Sequence, residues 1–74
     1  MVRKLINAFP SLRQAAIIYN QLSKEDQEDV TPALSYDNKA WDVSLGGEGI
    51  REFRSEEQAY KWIEKLLNEA KKVN

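Results

Sequence analysis

The chain is 74 residues long and carries 11 lysines and arginines against 12 aspartates and glutamates, for a formal net charge of −1. That length supports one domain (residues 1–74) near the lower limit for a self-sufficient core, and the balanced charge supplies no overall field to gather nucleic acid or anionic lipid. Cysteine and histidine are both absent, which excludes disulfides, thiolate metal sites, the commonest metal ligand and the side chain best suited to proton transfer near neutral pH.

The opening residues Met1 to Phe9 are either a short helical turn or an extended arm, since Leu5, Ile6, Ala8 and Phe9 suit both. Their apolar run is too short for a signal peptide or a membrane span, so a cytoplasmic, membrane-free domain is expected. Pro10 ends that segment. Ser11 and Gln14 then form a capping-box pair, and Leu12, Ala15, Ala16, Ile18, Tyr19 and Leu22 keep the spacing of one helix face. Ile17 falls off that stripe and is a candidate contact residue.

Ser23 with Asp26 repeats the cap, predicting over Lys24 to Val30 either a short helix or a helical extension, with acids in its first turn. Thr31-Pro32 stops it. Residues 33–37 read as a strand, Asn38-Lys39 as a two-residue turn, and residues 40–45 as a second strand. Pairing Asp37 with Ala40 sets Tyr36 opposite Trp41 and Leu34 opposite Val43, so that apolar meets apolar throughout. Gly46-Gly47-Glu48-Gly49 makes the next turn, and residues 50–54 the third strand. Turning both Ile50 and Phe53 inward requires a β-bulge near Arg51-Glu52, with Phe53 across from Trp41 and no charge on the inner face; the alternative is a loop one residue shorter, with Arg51 and Phe53 sharing the inner face and Ile50 outside, and the bulge is favoured because it buries two large apolar side chains and no charge.

Ser55 with Gln58 opens the last helix, with Glu56 and Glu57 in its first turn. Ala59, Trp62, Ile63, Leu66, Leu67 and Ala70 then recur at i, i+3, i+4, i+7, i+8 and i+11, and Lys71 and Lys72 sit at the negative end of the dipole. The expected fold is α+β, in the order α-(α)-β-β-β-α: a two-layer sandwich in which helices over about 11–22 and 56–72 cover one face of a three-stranded antiparallel sheet. Trp41 and Trp62 are expected to pack in its core.

No catalytic constellation is expected. The cluster Glu25, Asp26, Glu28 and Asp29 lacks the glycine and the alternating ligands of a calcium loop, and reads as a solvated helix face. The glycine turn matches neither a phosphate-binding loop nor a dinucleotide fingerprint. Ser11, Ser23 and Ser55 are caps with no histidine to activate them. Neither a cofactor nor a metal is implied, and the mixed charges Lys61, Glu64, Lys65 and Glu69 on the last helix favour solvent over lipid.

The run Trp41-x-Val43, a glycine turn and then Phe53-x-Ser55-x-x-x-Ala59 resembles the sheet-plus-helix pattern of AP2-type and integrase arm-binding DNA domains. The order of helix, three strands and helix is also similar to that of double-stranded-RNA-binding domains. Either resemblance implies nucleic-acid binding, for which the available cations are Arg3, Lys4, Arg13, Lys39, Arg51 and Arg54. Two features depart from it. The open sheet face would carry Ser35, Asp37, Asp42, Ser44 and Glu52 beside Arg54, and Glu56 and Glu57 stand where the RNA-binding family places lysines.

The sequence therefore favours a small non-enzymatic protein-interaction module, an adaptor, inhibitor or regulator that binds another protein or itself. Its candidate contact residues are Ile17, Tyr19, Glu25, Asp26, Glu28 and Asp29. Nucleic-acid binding is the alternative.

Overall fold

The computed structural model describes residues 9–37 and 39–73. Its elements are α1 (Leu12–Gln21), α2 (Lys24–Glu28), β1 (Pro32–Ser35), β2 (Ala40–Leu45), β3 (Glu48–Phe53) and α3 (Glu56–Val73). The strands form one antiparallel sheet in the order β1-β2-β3. The α+β order expected from the sequence is the order observed, whereas the question of a helical or extended start over residues 1–8 lies outside the described residues.

Each helix begins at a serine whose hydroxyl accepts a backbone N–H three residues on. Ser11 accepts from Gln14 at 3.2 Å, and the Gln14 side chain accepts from the Ser11 N–H at 3.0 Å, closing a full capping box. Ser23 accepts from Asp26 and Ser55 from Gln58. The helix ends are tied together as well. Asn20 donates to the carbonyl of Ala70 at 3.0 Å and Gln27 to that of Tyr19 at 2.9 Å. Both carbonyls lie in a last turn, where no intrahelical donor is guaranteed.

The buried stripe of α3 is Ala59, Ile63, Leu66 and Ala70, and α3 packs against all three strands. Helix α1 lies along α3. Its fully buried residues are Ala15 and Ala16, and such small side chains let the two backbones approach closely. Val43, Leu45 and Ile50 complete the core from the sheet, with Val43 and Leu66 the largest side chains wholly out of solvent. Trp41, Trp62 and Phe53 border this core half-buried rather than filling it. Phe53 and Trp62 meet with ring centroids 5.9 Å apart.

Three details of the sheet correct the expectations. First, β1 pairs with β2 two residues out of the expected register: Leu34 faces Trp41, and Ala33 faces Asp42. The connection spans residues 36–39 instead of Asn38-Lys39 alone, and Lys39 takes a positive φ of 52°. A tight two-residue turn needs positive φ at both central positions, which suits Asn-Gly far better than Asn-Lys. A shift of two keeps every side chain on its own face, so the apolar alternation is satisfied in either register. Tyr36 leaves the sheet and is 84 % exposed, and Asp37 belongs to the turn rather than to the open face.

Second, the glycine turn is shorter than expected. Leu45 pairs with Glu48 around Gly46 (φ 60°) and Gly47 (φ 89°), the two positive φ values of the tightest hairpin turn.

Third, the bulge exists but its extra residue is Ile50, lying between the Val43–Arg51 and Ser44–Gly49 pairs. Phe53 does face Trp41 as expected. Ile50 is buried, and Arg51 also comes to the inner side, so that face does carry a charge.

Candidate functional site

The expected contact residues fall into three places. Ile17 projects from α1 and is 43 % exposed, whereas Tyr19 packs against the core and borders a hollow with Gln27, Leu67 and Lys71. Glu25, Asp26, Glu28 and Asp29 are all exposed and line one shallow depression of about 400 Å³ around α2. Among the described residues, none of these four carboxylates is in an ion pair.

The cations of the nucleic-acid alternative are dispersed. Arg3 and Lys4 lie outside the described residues. Arg13 reaches Glu69 of α3 at 3.9 Å. Lys39 and Arg54 border a second hollow together with Glu52. The guanidinium carbon of Arg51 lies 5.9 Å from the ring centroid of Phe9 and 6.0 Å from those of Phe53 and Trp62, the outer range of a cation–π contact. Arg51 is thus turned to the aromatic side of the sheet, where its stem covers apolar surface. Replacing it with alanine is expected to cost about 1 kcal/mol of stability, while Arg51→Met, which keeps the stem, recovers part of that loss. Urea midpoints check this, and an Arg51→Ala chain as stable as the parent would refute the structural role.

The opposite face of the sheet is lined by Ala33, Ser35, Ala40, Asp42, Ser44 and Glu52. Most of these side chains are small, so the face is shallow; its two charges are both negative, and Lys39 and Arg54 border it beside Glu52. Asp42 and Glu52 are direct cross-strand partners, an arrangement that destabilises a sheet unless a cation lies nearby. One oxygen of Asp42, Oδ1, is buried and has no hydrogen-bond partner among the described residues. Next to it, the α2 end of the molecule contributes Asp26 and Asp29 to a hollow of about 240 Å³ shared with Thr31, Ala33, Asp42 and Ser44.

Sequence reasoning placed Asp42 on the open face but did not join it to α2. That juxtaposition depends on the path of Val30 and Thr31 into β1, for which local spacing carries no signal. Among the described residues, no group of three or more acidic side chains is arranged to hold a metal ion, and no helix is long and apolar enough to cross a membrane.

No protein-family model, curated protein or solved structure matches the chain.

Proposed function

We propose that this chain is a non-enzymatic protein-interaction module whose contact surface is acidic. The observation that carries this reading is the set of exposed carboxylates on and beside α2, none of them in an ion pair among the described residues, next to an open sheet face whose charges are also negative. Such a surface steers association with a basic protein surface and disfavours polyanions. The exposed Ile17 adds an apolar contact on α1. Self-association through α1 belongs to the same reading, because a domain of this size gains stability from intersubunit burial.

Nucleic-acid binding has less support from the same geometry. Arg13 is directed to Glu69 and Arg51 to aromatic rings, and Asp42 and Glu52 occupy the face that would have to approach phosphates.

Two measurements decide between them. Sedimentation equilibrium over a range of concentrations, joined to affinity capture from the native host and binary binding with the purified captured protein, is expected to yield a protein complex or a dimer. Fluorescence anisotropy with random duplex DNA and RNA at low salt is expected to show no binding up to about tens of micromolar, whereas phosphate-driven binding would appear there and weaken steeply with salt. A strict monomer with no protein partner overturns the proposal.

A further inference from the structure

We infer that the aromatic cluster between β3 and α3 is a docking surface whose occupant is the chain's own N-terminal segment, residues 1–8, which lie outside the described residues. Both layers of the fold contribute to it. Phe53 of β3 and Trp62 of α3 meet with ring centroids 5.9 Å apart, and the guanidinium carbon of Arg51 stands 6.0 Å from each ring and 5.9 Å from that of Phe9. The cluster is not sealed. Phe53 and Trp62 are half-buried, and Phe9 is 51 % exposed. Three rings left part-exposed around one cation form an apolar surface, separate from the acidic contact surface proposed above.

The place where the described chain begins selects the occupant. Phe9 is itself a member of the cluster, so residues 1–8 start from this surface instead of having to reach it. Leu5 and Ile6 precede Phe9 by four and three positions, a reach of roughly 10–14 Å when extended, enough to pass across rings gathered about one guanidinium. A segment joined this closely has an effective concentration at its seat on the order of millimolar, an advantage that no separate partner shares.

Composition agrees with that placement. Val2, Leu5, Ile6 and Ala8 supply apolar side chains for the rings. Arg51 repels Arg3 and Lys4, so the segment meets the cluster through its apolar side and keeps its charges outward. Complementary carboxylates stand close after Phe53, where the exposed Glu56 and Glu57 form the first turn of α3.

Paramagnetic relaxation in the full chain tests this. The chain has no cysteine, so Lys4→Cys carries a single nitroxide label. The label is expected to broaden the Trp62 indole N–H and the amides of Arg51 and Phe53 most, and those of Gly46 and Gly47, in the turn at the other end of β3, least. Adding Leu5→Ser and Ile6→Ser removes part of the broadening at Trp62. Adding Leu5→Lys and Ile6→Lys instead removes most of it, since a lysine cannot settle on rings already shared with Arg51. Unmoved amides of Val43 and Leu45 show that the core is intact in each variant.

Broadening at Trp62 that survives in both pairs of variants means that the segment is only tethered nearby, and overturns the inference. Broadening centred on Glu25, Asp26, Glu28 and Asp29 places the segment on the acidic patch and does the same. A mixture of nitroxide-labelled chain with isotope-enriched, label-free chain reads the remaining case: broadening of the enriched chain assigns the surface to the segment of a second copy and overturns docking within one chain.

Discussion

Truncating Leu66 to alanine is expected to lower the melting temperature by more than ten degrees and to leave a measurable unfolded fraction at 37 °C, taking about 3 kcal/mol lost and about 4–8 °C per kcal/mol for a domain of this size. Leu66 has no solvent exposure and lies on the stripe of α3 that meets the sheet, in one core with Val43. Removing three of its side-chain carbons forfeits their transfer free energy and leaves a cavity that α3, held by Ser55 at one end and by Asn20 at the other, cannot easily collapse. The total stability of 74 residues is about 4–11 kcal/mol, so the loss is a large share of it.

The comparison within the helix sharpens the test. Leu67, one position on, is only partly buried, and Leu67→Ala is expected to cost clearly less; Tyr60→Ala, on the exposed side, costs little. Thermal unfolding followed by helical circular dichroism gives the order. Equal losses at Leu66 and Leu67 would mean that α3 is rotated about its axis relative to the sheet.

Much of this fold could be read from the chain because its strongest signals are local. The three serine caps sit within three residues of their partners, and the stripe of α3 repeats over a helix of 18 residues. Strand parity was legible for the same reason: Leu34, Trp41, Val43 and Phe53 share a face in any register that differs by two. Register itself was not, because it turned on whether Lys39 closes a tight turn or occupies the positive-φ position of a longer one.

The favoured reading misplaced Arg51 for a different reason, whereas the shorter-loop alternative had put it on the inner face with Phe53. An arginine can lay its stem over Phe53 and Trp62 and still keep its charge near water, so a rule that keeps charge off the inner face fails for this residue type. The candidate site was the least legible part. Asp26 and Asp42 are 16 positions apart and belong to different elements, and nothing in either local pattern says that they border one hollow.

Asp42 faces Glu52 across the strands, with Lys39 and Arg54 bordering Glu52, and a neutral residue such as threonine at position 42 would remove both that like-charge pair and an Oδ1 that has no hydrogen-bond partner among the described residues.

The glycine turn gives the second large effect. Gly46→Val is expected to destabilise the protein by about 3 kcal/mol or more, and Gly46→Ala by about 2 kcal/mol, from two separable causes. Gly46 has a φ of 60°, where an L-residue pays for its Cβ and a β-branched one pays most. A Cβ at this position would also lie 2.9 Å from Cδ2 of Leu22, the C-cap residue of α1 that packs against the core. Gly47, at φ 89°, shares the strain but meets nothing within 4 Å, so Gly47→Ala should cost less. Gly49 has neither penalty, and Gly49→Ala is expected to be nearly neutral.

A double-mutant cycle isolates the contact. Leu22→Ala opens the space that the new Cβ needs, so the double variant Leu22→Ala, Gly46→Ala should be more stable than the sum of the single losses predicts. Urea unfolding of the parent, the two single variants and the double variant supplies the four free energies. Strict additivity would show that Leu22 does not close over the turn, and a Gly46→Ala cost no larger than that of Gly49→Ala would show that the turn is not the tight, positive-φ hairpin that fixes the Leu45–Glu48 pair and, through it, the position of Ile50 in the core.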